Sequence, residues 1–336
     1  KKVLGVDKSP NTMDELLSTN VILVFGYIME KNPVVQLKLK QAAENGAKIY
    51  VINPVGVEVV NFDFAEKVIY TGNNLDALKE IAKYLVDEKD NLSLTNLLEL
   101  KKSLENVFVS DEIKEVASAY NNAKKAMIVF QENVLSVDAA TMIGNIALVS
   151  NHIGAPREGI VQIKGKNNSQ GLVDMGIDKG IEEMANVKAL LCFGEDPCVL
   201  GDDILDNLEF VMTVDTHMTD TCKNSNVVLP GSGPMSVEGT YTNTDGRVQF
   251  VNKVIDENIE FNNEELARKI ASVYEVDLYK VVTKAPLKEN VVESLVVVGD
   301  NVVVDVHKCC DNLMNVIDNR LPKQAKQSEK VSLAEA

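Results

Sequence analysis

The sequence predicts an α/β protein of two lobes, each a mainly parallel sheet flanked by helices. Three observations carry that expectation. Residues 20–25 (NVILVF) and 47–52 (AKIYVI) are short, largely apolar runs separated by one amphipathic stretch. A second pair of apolar runs, 187–193 and 210–214, recurs later in the chain. Each pair opens at its end into a polar loop. Apolar strands of this kind suit a parallel sheet covered on both faces, and strand, helix, strand with short links is a right-handed crossover.

Taken in order, residues 1–20 begin without a methionine, as though something preceded them. The strand at 20–25 ends at Gly26, and the loop GYIMEKNP follows. Residues 34–45 place Val35, Leu37, Leu39, Ala42 and Ala43 at helical spacing, with Asn45-Gly46 as the stop. The strand at 47–52 ends at Asn53-Pro54. A weaker strand is expected over 64–70, then a helix over 74–86 with Leu75, Leu78, Ile81, Ala82 and Leu85 on one face. The charged stretch 87–106 reads as an exposed helix, 111–123 as a capped helix, and 126–130 as a strand. A small-residue helix at 138–150 reads as buried packing. Residues 151–163 are glycine-punctuated and end apolar, and 164–176 (KGKNNSQGLVDMG) have neither helical nor strand period, so they read as an ordered loop.

The second lobe is expected to run from a buried strand at 187–193 through the turn Gly194-Glu195-Asp196-Pro197 and a short helix at 200–208. A strand at 210–214 then leads to Asp215 and a hydroxyl-rich turn with Thr216, Thr219 and Thr221. A strand at 227–229 and a polar loop at 240–246 follow. Further on, a helix is expected at 264–273, a hairpin over 295–306 and a disordered tail over 324–336. The domain boundaries read as 1–163, 164–273 and a short tail 274–336.

Composition narrows the function. The 336 residues hold 34 Lys and Arg against 50 Asp and Glu, a formal net charge of -16. That charge repels phosphate backbones and anionic lipid, so nucleic acid is not an expected partner. No apolar run reaches the roughly 20 residues a membrane span needs, and the first residues lack a signal pattern, so the expected location is cytoplasmic. Five cysteines (Cys192, Cys198, Cys222, Cys309, Cys310) show no CxxC spacing, and neither a metal site nor an iron-sulfur cluster is expected within this chain. The pair Cys309-Cys310 reads as two ordinary thiols or as a redox device.

In open parallel sheets, ligands lie beyond the carboxyl ends of strands. The loops at Gly26, Gly194 and Asp215 occupy that place. Asp215 reads either as a ligand-binding carboxylate or as the cap of its own turn. His217 reads as structural or catalytic, Arg247 as an anion binder or a loop fastener, and Lys164 as a solvated lysine or a group facing an anionic substrate.

Four blocks in fixed order carry a resemblance: LVFGYIMEKNPVV through YVINP, then IKGKNNSQGLVDMG, then GEDP, then DTHMTDT with VVLPG and EGTYTNTDGRVQ. Over about residues 11–254 the chain resembles the middle of the molybdopterin oxidoreductase family, and within it formate dehydrogenase catalytic subunits and the large iron-sulfur subunit of NADH:quinone oxidoreductase. The resemblance implies two Rossmann-like lobes holding molybdopterin guanine dinucleotide at strand-end loops. Gly26 and Asn53 would line one nucleotide site. Gly194, Glu195, Asp196, Asp215, Thr219 and Thr221 would line the other, with Asn167, Asn168, Gln170 and Asp174 near the pterin and Arg247 in the same block. Iron-sulfur and flavin subunits are the implied partners.

The chain also departs from that family. It lacks the N-terminal cysteine-rich part and the cysteine (or selenocysteine) and histidine pair of formate dehydrogenases. Lys164 stands where those enzymes place an arginine and Asn53-Pro54-Val55 where Asp-Pro-Arg is usual. Ile28-Met29 replaces an Asn-Pro, and the stretch after Gln249 is shorter than the family's C-terminal cofactor-covering domain. The resulting expectation is a subunit or fragment of a multisubunit electron-transfer enzyme that works as a structural and assembly platform, with no catalytic residue of its own beyond Lys164 as a candidate. The alternatives are the dinucleotide-binding core of a formate dehydrogenase-like enzyme whose metal-ligand part lies elsewhere, and an NAD enzyme. No GxGxxG follows a strand, which argues against the last.

Overall fold

A computed structural model of the chain describes residues 8–26, 32–56, 62–89, 94, 97–132, 135–177, 180–257, 259–275, 294–296 and 303–305. The chain divides into two compact units, Lys1–Gln170 with Thr242–Val248 and Glu289–Ala336, and Gly171–Tyr241 with Gln249–Lys288.

The first unit is built on a five-stranded parallel sheet. Its strands are β1 (Val21–Phe25), β2 (Lys48–Pro54), β3 (Lys67–Thr71), β4 (Ala126–Gln131) and β5 (Gly159–Ile163), in the order β3-β2-β1-β4-β5. The order runs outward from β1 in both directions, and right-handed crossovers then place helices on both faces. Two apolar clusters follow from this. Leu23, Phe25, Ile52 and Ile128 pack with α2 (Asn74–Asp87), α4 (Asp111–Asn122) and α5 (Val137–Ser150) on one face. Ile22, Val24, Val51 and Val129 pack with α1 (Pro33–Glu44) on the other. The all-apolar strands are thus buried on both sides, as their sequence requires.

Local signals set the helix ends. Asn73 Oδ1 accepts the Asp76 N–H at 2.9 Å to start α2, and Ser136 Oγ accepts the Ala139 N–H at 3.1 Å to start α5. A 3-10 turn at Met13–Ser18 had no counterpart in the expected elements. Its signal is Thr12 followed three residues later by Glu15, whose Oε1 accepts from the Thr12 N–H at 3.1 Å. The charged stretch 87–106 is not one exposed helix. Only α3 (Leu97–Ser103) forms among its described residues, Leu100 and Leu104 are buried, and Lys89 Nζ donates to the last carbonyls of α5, Val149 O at 3.1 Å and Ser150 O at 2.9 Å.

The second unit carries a three-stranded parallel sheet, β6 (Ala189–Phe193), β7 (Phe210–Asp215) and β8 (Val227–Pro230), in that order. Short 3-10 turns at Pro197–Leu200 and Asp202–Leu205 replace the helix expected at 200–208, and α7 (Asp220–Lys223) links β7 to β8. The helix α8 spans Asn263–Val273, where Asn262 Oδ1 accepts the Glu265 N–H at 2.9 Å. β6 was expected to be buried and is not: Ala189 and Leu191 are exposed. The expected loop at 164–176 contains a short helix, α6 (Ser169–Asp174), entered through Asn168 in the left-handed conformation (φ 61°). The expected loop at 240–246 is the tip of a hairpin, β9 (Gly239–Thr242) with β10 (Val248–Val251). Antiparallel β11 (Ser294–Val296) and β12 (Val303–Asp305) overlap the hairpin expected at 295–306. The tail 324–336 and the pair Cys309-Cys310 lie outside the described residues.

One buried group makes the first unit acid-sensitive. His152 stacks edge-on against Tyr120 at 5.0 Å and its Nε2 meets Tyr120 O at 3.0 Å, while Nδ1 is buried without a partner among the described residues. Burial holds its pKa below the ordinary value of 6.5. Folded His152 therefore stays neutral where the unfolded chain already binds a proton, so stability falls as pH drops below about 6.5 and this group has no effect above it. Urea unfolding at pH 7.5 and pH 5.5 is expected to show a loss that is smaller in His152→Gln.

Candidate functional site

The strand-end region of the first unit centres on Gly26, the residue after β1. It takes φ 100°, a left-handed-side conformation open to glycine. Its N–H donates to Asn53 Oδ1 at 3.0 Å. Phe25 aligns with Ile52 on one side and with Phe130 on the other. Asn53 and Gln131, one residue further along β2 and β4, therefore flank Gly26. Both amides are buried, and Asn53 Nδ2 and Gln131 Oε1 have no partner among the described residues. This is the point where the strand order reverses, the usual ligand crevice of such sheets. Gln131 was not among the expected site residues, and its signal was only its place one residue past an apolar strand.

At the end of β5, Lys164 is not the solvated lysine of one expectation. Its side chain is 5% exposed and its Nζ lies 3.0 Å from Glu132 Oε2. The same carboxylate accepts from Gln162 Nε2 at 2.7 Å and from the Gly165 N–H at 3.4 Å. Lys164 is therefore part of an internal network rather than a solvated cation.

The polar loop beyond β5 is fastened to the hairpin tip. Asn168 Oδ1 accepts the Thr242 N–H at 2.9 Å, and Asp245 Oδ1 accepts the Met13 N–H at 3.0 Å. Asn243 Oδ1 takes the N–H groups of Asp245 and Arg247 at 3.0 and 2.9 Å, which folds the tip on itself. The Arg247 guanidinium is half exposed, 3.9 Å from Asp14 Oδ2. Asp14 itself is held below the usual carboxylate range by its hydrogen bond from Lys38, with Arg247 adding to the effect. Asn167 is exposed and Gln170 is buried on α6.

In the second unit, Asp174 sits half-buried at the end of α6. The turn after β6 is a brace. Gly194 (φ 64°) donates its N–H to Val214 O at 2.8 Å. Asp196 Oδ1 accepts both the N–H and the hydroxyl of Thr221, at 3.0 and 2.5 Å. Those bonds hold the Asp196 carboxyl below its ordinary range. The Thr221 hydroxyl, fully buried, also accepts the Cys198 N–H at 3.1 Å. Thr219 Oγ1 accepts the Cys222 N–H at 3.2 Å and so caps α7. Asp215 Oδ1 accepts the His217 N–H at 3.0 Å, which is the turn-capping geometry, and Glu195 is exposed. His217 Nδ1 pairs with the Oγ1 of its neighbour Thr216 at 2.7 Å.

A dinucleotide bound at strand ends asks for acceptors toward base and ribose and for N–H groups or cations toward its phosphates. Gln131 Oε1 beside Gly26 and the carboxylates of Glu195 and Asp215 meet the first need, and Asn53 Nδ2 adds a donor. The second is met only weakly among the described residues. Val55 offers no cation, and Lys164 is neutralised by Glu132. The cations described in the second unit are engaged elsewhere: Lys188 with Glu209, Lys223 with Asp220, Lys253 with Asp256, Arg268 with Glu264, and Lys269 over the Phe261 ring. Among the described residues of these loops, Arg247 is a half-exposed cation, and the residues that follow Gly26 lie outside the described ones. Among the described residues no group of three His, Cys, Asp or Glu could hold a metal, and Cys192, Cys198 and Cys222 are free and buried.

A reversed-order parallel sheet with polar strand-end loops, followed by a smaller parallel sheet whose three strands step in one direction, is an α/β architecture that places its loops where such sheets hold ligands. The chain belongs to the molybdopterin oxidoreductase family, whose model matches residues 7–264. It is 26% identical over 315 residues to the F420-dependent formate dehydrogenase 2 subunit alpha of Methanococcus maripaludis, covering 75% of this chain and 47% of that protein. It is 23% identical over 319 residues to formate dehydrogenase H of Escherichia coli, covering 75% and 45%. Acetylene hydratase from Pelobacter acetylenicus shares the fold, with a TM-score of 0.54 at 15% identity over 77% of this chain and 49% of that one. The chain spans about half the length of the curated relatives it matches. No helix among the described residues is long and apolar enough to cross a membrane.

Proposed function

We propose that this chain is a platform subunit of a multisubunit electron-transfer enzyme of the formate dehydrogenase or NADH:quinone oxidoreductase type. It keeps the two-lobed fold, and the chemistry belongs to iron-sulfur and flavin partners. One observation carries this reading: at the strand ends Lys164 is committed to Glu132 and Asp196 to the N–H and hydroxyl of Thr221, so neither is turned toward a cofactor. In this reading Thr219, Thr221, Asp196, Asp215, Asn168 and Arg247 hold loops rather than a ligand.

The second reading, a dinucleotide-binding core that works with a separately supplied metal-ligand part, has its own support in the orphan amides of Asn53 and Gln131 beside Gly26. A guanine nucleotide separates the two. Titration with GDP is expected to leave the unfolding temperature unchanged, because a ligand stabilises a fold only as far as it binds the folded state. A saturable rise that Gln131→Leu abolishes would favour the core.

A further inference from the structure

Between α5 and β5 the chain turns on Ala155-Pro156-Arg157-Glu158. The Glu158 N–H donates to Ala155 O at 3.1 Å, proline takes the first central position, and Arg157 has φ 66° at the second. This is the pattern of a type II turn, whose second central residue needs positive φ and is ordinarily glycine or asparagine. The other described positive-φ side chains of the first unit, Asn151 and Asn168, follow that preference. Arg157 is held against its own.

What holds it is Glu15. Its Oε2 accepts the Arg157 N–H at 2.6 Å and Asn11 Nδ2 at 2.9 Å, while its Oε1 accepts the Thr12 N–H at 3.1 Å. The neighbouring carboxylate, Glu158, is paired with Lys125 at 3.0 Å. Arg157 is exposed, and its guanidinium, unlike those of Arg247 and Arg268, meets no carboxylate among the described residues. That stands out in a chain with 50 acidic side chains against 34 basic ones.

Backbone strain that its surroundings keep in place points to a use for the strained residue. The turn precedes β5, so it stands at the strand-start end of the sheet, away from the strand-end loops of Gly26 and Lys164. A guanidinium is a planar fork that fits a carboxylate through two parallel bonds. Nucleic-acid or lipid phosphates would also suit the fork, but the net charge of -16 repels such polyanions. We propose that Arg157 is a docking contact for an Asp or Glu side chain of another subunit. In the platform reading, on which this assignment rests, the chain assembles with such subunits.

Arg157→Gly and Arg157→Ala both remove the fork, but only glycine removes the strain. In the isolated chain, Arg157→Gly is therefore expected to have a higher urea midpoint than Arg157→Ala. In the native complex both should weaken the hold on one subunit about tenfold, and Arg157→Lys, which keeps the charge without the fork, should weaken it less. A benzoylphenylalanine photo-cross-linker at position 157 is expected to label that subunit, on a segment containing Asp or Glu. Isolation of the chain with no other subunit would overturn the platform reading and this assignment together. A complex that holds as tightly without the fork, equal midpoints for the glycine and alanine variants, or cross-links confined to this chain or to a segment without Asp or Glu would overturn the assignment alone.

Discussion

Replacing Glu132 by Ala is expected to destabilise the first unit by about 2 kcal/mol, read as a lower urea midpoint with an unchanged slope. The carboxylate accepts from Lys164 Nζ, Gln162 Nε2 and the Gly165 N–H. Removing it takes away the carboxylate that stands 3.0 Å from an ammonium group whose side chain is 5% exposed. Full burial of both partners would raise the cost to roughly 3–5 kcal/mol, but Glu132 is about a third exposed and solvent offsets part of the loss. Lys164→Met should cost less than Glu132→Ala, because an apolar chain replaces the buried charge. The double variant should recover at least half of the Glu132→Ala loss. If Lys164 were a substrate-facing cation instead, Glu132→Ala would leave stability nearly unchanged and the double variant would recover nothing.

Gly159→Ala is expected to cost about 3 kcal/mol. Gly159 opens β5 with φ 151°, and a Cβ there would collide with the Asn11 side chain, its Cγ at 2.9 Å. Asn11 has little room to move. It is buried, its Oδ1 accepts the Ile160 N–H at 3.3 Å, and its Nδ2 donates to Glu15 Oε2 at 2.9 Å and Ala155 O at 3.2 Å. The collision would unseat the N-terminal 3-10 turn from the sheet edge. Gly46→Ala is the control: φ is 94° but nothing lies within 4 Å, so only the backbone strain of about 1 kcal/mol remains. Equal losses in the two variants would show that the Asn11 contact is unimportant.

The elements that define the fold were legible because each carries its own period. The apolar runs of β1, β2 and β4, the i, i+3, i+4 spacing of α2 and the stop at Asn45-Gly46 need no distant information. The site was legible only as a set of strand-end loops. What each side chain does there depends on partners far along the chain, Glu132 for Lys164 and Thr221 for Asp196, and spacing along the sequence does not encode such pairs. β6 misled for a related reason. An all-apolar strand implies two covered faces, yet its own lobe supplies a crossover to one. The hairpin at 239–251 did leave a trace, since Asp245-Gly246 between short β-prone segments is a turn signal, but its polar residues made it read as a loop. α6 is only six residues long, too short for a helical period to show.

The platform account is tested most directly by analysing the native complex for molybdenum and tungsten by mass spectrometry, together with the fluorescence of oxidised pterin released by acid. The account predicts neither metal nor pterin above background relative to this chain. One pterin per chain would contradict it.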